Sequence, residues 1–124
     1  MNSRLPFRSI AGLGVVAGAL AAAIQAQAHA HLIASAPAKD ATVAAPTLLT
    51  LHFSEKLEAK FSGLELDRSD ATRVPVTSAV PNDDPKTILG RVAGRLPPGV
   101  YTVKWHNVSA DSHRMEGSYS FTVR

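Results

Sequence analysis

The stretch Tyr101-Thr102-Val103-Lys104-Trp105-His106 alternates apolar and polar residues without a break. Period-two patterning puts Tyr101, Val103 and Trp105 on one face of an extended strand, with Thr102, Lys104 and His106 on the other. The pattern recurs in Leu49, Leu51 and Phe53, which oppose Thr50 and His52. It recurs again in Tyr119, Phe121 and Val123, flanked by Ser118, Ser120 and Thr122. Each run has one face to bury, and Trp105 in such a run reads as a core residue. No internal repeat, low-complexity segment or long helical pattern competes with this reading.

Turn signals separate the runs: Ala45-Pro46, Ser69-Asp70, Asn82-Asp83-Asp84-Pro85 and Pro97-Pro98-Gly99. Further strands are expected near Leu32–Ser35, Gly63–Asp67, Arg73–Thr77 and Thr87–Val92. The segment Lys56–Ser62 reads as a loop or a short turn of helix. About seven short strands with turns between them predict an all-β fold, an antiparallel sandwich or a Greek-key barrel.

Ahead of these strands lies a different kind of sequence. Arg4 and Arg8 stand in the first eight residues with no acid, and Ile10 to Ile24 is an apolar run of fifteen residues. That run is shorter than the ~20 residues of a membrane span and fits the apolar region of an export signal. The ending Ala26-Gln27-Ala28 has the small-residue pattern of a signal-peptidase site. There is no twin-arginine pair, so general secretion is the expected route. An uncleaved N-terminal anchor is the competing reading. The expected organisation is a signal peptide over residues 1–28 and one β domain over 29–124.

From His29 onward the chain carries eleven basic and ten acidic side chains, because Arg4 and Arg8 fall in the leader. The domain is therefore nearly neutral, and no Lys/Arg run supports nucleic-acid binding. There is no cysteine. The core must suffice without disulfides, and a blue-copper site, an iron–sulfur cluster and thiolate zinc are excluded.

Cleavage after Ala28 makes His29 the first residue. A free α-amine and an imidazole on one residue form a bidentate chelate. The amine has a reference pKa of ~7.7–8, low enough for a metal to displace its proton. Copper(II) prefers nitrogen and oxygen donors in a tetragonal array. Further ligands must come from elsewhere in the chain, and Asp111 and His113 are the best candidates. Two residues apart, they project to the same side of an extended backbone.

His31 has two roles open to it. It could join the site from an extended N-terminus. As third residue of the processed chain, it could instead bind Cu(II) or Ni(II) with the amine and two deprotonated amides, without any folded partner. His52 and His106 read as surface histidines on polar strand faces. Met115, the one methionine after His29, reads as packing or surface. Glu55 reads as a solvated strand end or as a carboxylate that orients an imidazole or the amine. Asp111-Ser112-His113 contains the letters of a catalytic triad, but such close neighbours cannot adopt its geometry.

Together these pieces resemble the CopC family of bacterial periplasmic copper-binding proteins. The likeness rests on His29-Ala30-His31-Leu32, Ala36-Pro37, Leu51-His52-Phe53-Ser54-Glu55 and Phe61-Ser62-Gly63. It continues through Leu96–Trp105, Val108-Ser109-Ala110-Asp111-Ser112-His113 and Gly117–Phe121. The resemblance implies a cupredoxin-like or immunoglobulin-like Greek-key β-barrel. It implies one Cu(II) ion per chain, held by His29, Asp111 and His113, with His31 a further candidate and Glu55 nearby. It also implies a periplasmic location, a role in copper homeostasis or resistance and an inner-membrane partner of the CopD type.

One departure from the pattern stands out. Some members carry a second, Met-rich Cu(I) site in a mid-chain loop, whereas Leu66 to Val80 here contains neither methionine nor histidine. The chain looks like the Cu(II)-only form, a soluble, non-enzymatic copper carrier or buffer. Two other classes are weighed against it: a histidine-brace oxidase or mono-oxygenase, and a structural β-sandwich whose histidines are incidental.

Overall fold

The computed structural model describes residues 29–124. The proposed signal peptide and its cleavage motif lie outside the described residues. Nine strands form two sheets: β1 (Leu32–Ala36), β2 (Thr42–Val43), β3 (Leu48–Phe53), β4 (Gly63–Arg68), β5 (Arg73–Val74), β6 (Val76–Ala79), β7 (Thr87–Val92), β8 (Gly99–Val108) and β9 (Arg114–Val123). One sheet has the order β1-β3-β7-β6 and the other β2-β9-β8-β4-β5, which makes a sandwich. A 3₁₀ turn at Ala59–Phe61 falls within the segment left open as loop or short helix.

The alternating runs are the strands that form the core. Leu49, Leu51 and Phe53 of β3 are fully buried, and so are Leu66 and Val103 from the facing sheet. Full burial of one such side chain is worth ~1.5–3 kcal/mol. Phe53 meets Trp105 edge to face at 5.1 Å between ring centroids, and Tyr101 stacks on Phe121 at 5.8 Å. Gly117 lies opposite Trp105 in the β8–β9 ladder. A Cβ there would stand 2.3 Å from Trp105 Cζ2, so the indole takes the place of a side chain.

Three details differ from the sequence-based expectation. Arg73–Thr77 is not one strand: Pro75, which has no N–H for a ladder, divides it into β5 and β6, and these belong to different sheets. The strand β2 adds two residues that no periodicity could reveal. It runs parallel to β9, through Thr42–Thr122 and Val43–Val123, so the sandwich is not antiparallel throughout.

The long β8–β9 hairpin sets the position of everything that follows. The inward column of β8 runs Tyr101, Val103, Trp105, Asn107 and continues to Ser109, all buried. Beyond Ser109 the chain turns through Asp111 and Ser112 into His113 and then β9. The N-terminal residues His29–His31 enter β1 at this same end.

Candidate metal centre

The N-terminal segment is held from both sheets. Ala30 is fully buried, and its carbonyl accepts from Nδ2 of the buried Asn107 at 3.2 Å. Ser54, just past β3, donates its hydroxyl to the His29 carbonyl at 3.3 Å and accepts from the His31 amide at 2.9 Å. Its own amide donates to the His31 carbonyl at 2.9 Å. His29 is thereby fixed beside the β8–β9 turn.

In that turn the Ser112 amide donates to the Ser109 carbonyl at 2.9 Å, and Ser112 takes a left-handed φ of 65°. This tight turn, rather than an extended backbone, brings Asp111 and His113 together. His113 Nδ1 is 2.9 Å from Asp111 Oδ2, and the His113 amide donates to Oδ1 at 3.1 Å. The Ser109 hydroxyl donates to the same Oδ1. That hydroxyl, with further support from His113, holds the Asp111 carboxyl well below the usual carboxylate range.

His29 completes the group. Its Nε2 lies 3.4 Å from Asp111 Oδ2, and its ring meets that of His113 edge to face at 4.8 Å. One ligand atom from each of His29, Asp111 and His113 falls within 4.8 Å of the other two. Side-chain exposure falls from 64% at His113 to 31% at His29 and 20% at Asp111. The carboxylate therefore forms the floor and His113 the solvent side.

The other sequence candidates do not belong to this three-residue group. The His31 ring centroid is 6.5 Å from that of His29, and His31 is exposed. Glu55 is half-buried after Ser54 and does not belong to the three-residue group. His52 lies on the outer face, with Nδ1 3.0 Å from the Thr87 hydroxyl. Met115 packs against the core margin. Sequence reasoning missed Ser54, Ser109 and Asn107. The signal for two of them was present, because extending the Tyr101–Trp105 alternation puts 107 and 109 on the inner face.

Two imidazoles and a carboxylate suit a borderline divalent ion better than a soft monovalent one. The placement also bears on the N-terminal chelate. His29 faces Asp111 with Nε2, whereas a chelate ring with its own α-amine uses Nδ1. In the full-length chain the His29 nitrogen is an amide joined to Ala28.

The CopC domain model matches residues 32–124. Copper resistance protein C of Escherichia coli is 39% identical, over 94% of this chain and 99% of that protein. The solved structure of PcoC, a methionine-rich copper resistance protein from Escherichia coli, is 39% identical with a TM-score of 0.72, covering 78% of this chain and 100% of that one. CopC from Methylosinus trichosporium OB3b is 32% identical with a TM-score of 0.71, covering 77% and 93% respectively. The chain belongs to the CopC family, and its role lies in copper handling.

Proposed function

We propose that the chain is a non-enzymatic periplasmic protein that binds one Cu(II) ion through His29, Asp111 and His113 and buffers or carries it. The observation that carries this reading is the meeting of those three side chains from distant parts of the sequence. Copper is the cargo. Export with cleavage after Ala28 frees the His29 amine, and a turn of the ring about Cβ–Cγ then presents Nδ1 beside it. An inner-membrane importer of the CopD type is the proposed recipient.

Copper(II) rather than copper(I) is favoured by the donor set. PcoC is described as methionine rich, whereas Met115 is the single methionine of residues 29–124 here. A thioether cluster for Cu(I) has no residues to build it. Among the described residues no helix is long and apolar enough to cross a membrane.

Titration of the processed protein with Cu(II) tests the proposal. One tight equivalent is expected, lost on His113→Ala. A form with one extra residue ahead of His29 keeps its fold and binds more weakly, because the terminal amine is displaced. Absence of tight binding by the processed wild type would sink the reading.

A further inference from the structure

The N-terminus can present copper with two different donor sets. One is the folded site of His29, Asp111 and His113. The other is the terminal-peptide set: the α-amine, the deprotonated amide nitrogens of Ala30 and His31, and the His31 ring. The second needs no fold, only a backbone free to turn those nitrogens toward one point.

We propose that Ser54 and Asn107 form a clamp that denies copper the terminal-peptide set and so selects the folded site. This rests on the Cu(II) reading of the folded site given above. The clamp holds three consecutive carbonyls. Ser54 Oγ takes that of His29, Asn107 Nδ2 that of Ala30, and the Ser54 amide that of His31. The His31 amide, one of the nitrogens the terminal set needs, is itself committed to Ser54 Oγ at 2.9 Å. The Ala30 side chain is 0% exposed, so turning its peptide would pull it from the core.

Asn107 is the more telling half. It is 0% exposed in the column that runs from Tyr101, Val103 and Trp105 to Ser109. Its Oδ1 has no hydrogen-bond partner among the described residues. A buried amide with one end unsatisfied is costly, and an apolar residue would pack there without that cost. What asparagine adds is the bond to Ala30. Ser54 follows a strand of one sheet and Asn107 belongs to a strand of the other. The clamp therefore closes only when the sandwich is assembled, and copper meets a fixed His29 rather than a loose tripeptide. Both are positioning residues: neither is placed among the ligands.

The test uses full-length chain expressed for export and recovered with its N-terminus verified at His29. Electron paramagnetic resonance and visible spectra of the Cu(II) form are recorded, with Trp105 fluorescence as a check of folding. Wild type is expected to respond to His113→Ala and not to His31→Ala. In Ser54→Ala and Asn107→Ala, affinity for the folded site falls by roughly 10–100-fold, as for other groups that orient ligands. The spectrum moves to that of a square-planar, four-nitrogen complex. Adding His31→Ala to Ser54→Ala removes this new spectrum, and Ser54→Thr, which retains the hydroxyl, keeps the wild-type one.

Folded variants with wild-type spectrum and affinity would overturn the clamp. So would weaker binding with an unchanged spectrum, which reduces the pair to structural supports. A wild-type spectrum that responds to His31→Ala and ignores His113→Ala overturns the folded-site reading itself, a separately recognisable result.

Discussion

Asp67 and Asp111 are both carboxylates held below their ordinary range, yet they belong to different kinds of region. Asp67 lies on the outer face of the five-stranded sheet under two permanent cations. Lys104 Nζ is 2.9 Å from its Oδ2, and Arg73 Nε bonds Oδ1 while Arg73 Nη1 reaches Glu65 Oε2 at 2.9 Å. The hydrogen bond from Lys104, then that from Arg73, keeps it ionised. Among the described residues Asp111 has no such cation. A neutral hydroxyl, a backbone amide and two titratable rings surround it. The first arrangement is electrostatically complete. The second has negative charge and lone pairs facing nitrogen donors, which is what a divalent cation requires.

The sharpest way to break that contrast is to remove each acid in turn. Asp111→Ala is expected to weaken Cu(II) binding by more than the ~10–100-fold typical of groups behind a ligand. Asp67→Asn should leave affinity unchanged. Calorimetric titration of both decides it, and equal effects would dissolve the distinction. A smaller effect is expected from Ser109→Ala, which removes the largest stabiliser of the Asp111 carboxylate. Affinity should fall about tenfold, and the loss should grow as the solution is acidified toward the ordinary carboxylate range, because proton competes with copper for Oδ1 and Oδ2. Titrations at several pH values measure this.

The smallest effect concerns stability. Each lowered carboxyl contributes stability that is fully present above the unfolded value of ~3.9 and is lost as pH falls toward the lower folded value. Melting temperature should therefore drop on acidification below about pH 4. Asp67→Asn should melt lower than wild type at pH 7 and show a shallower acid drop. A steep, unchanged drop in that variant would assign the acid sensitivity elsewhere.

Affinity itself carries a separate pH signature. Imidazole and amine ligands must lose protons to bind, so copper affinity should fall on acidification. Flat affinity from pH 7.5 to 5 would contradict imidazole ligation.

The strands that form the core were legible because burial on one face imposes a period of two on Leu49–Phe53, Tyr101–Trp105 and Tyr119–Val123. What lacked a period was not. Two-residue β2 shows no alternation, and the division of the expected Arg73–Thr77 strand at Pro75, with its change of sheet, is a tertiary event. At the site, the donor types and the Asp-x-His spacing were legible. The left-handed Ser112 was not, because serine carries no strong signal for that conformation. Nor does a local pattern announce that Asn107 must serve the carbonyl of Ala30, far away in the sequence.

The edges of the two sheets have a consequence for the protein as a solute. The ten-residue strands β8 and β9 are the ones that could template another chain, and β8 lies in the middle of its sheet. The outermost strands are β2 and β5 in one sheet and β1 and β6 in the other, of two to five residues each. In β1 a register shift leaves Ile33 out of the ladder. β2 and the Asp40 amide cover the C-terminal end of β9, while its other end carries the charged pair Arg114 and Glu116. Short, irregular or charged borders give a neighbouring molecule little backbone to pair with. A domain that is nearly neutral and cannot rely on net charge for dispersal is thus kept from stacking by the way its sheets end.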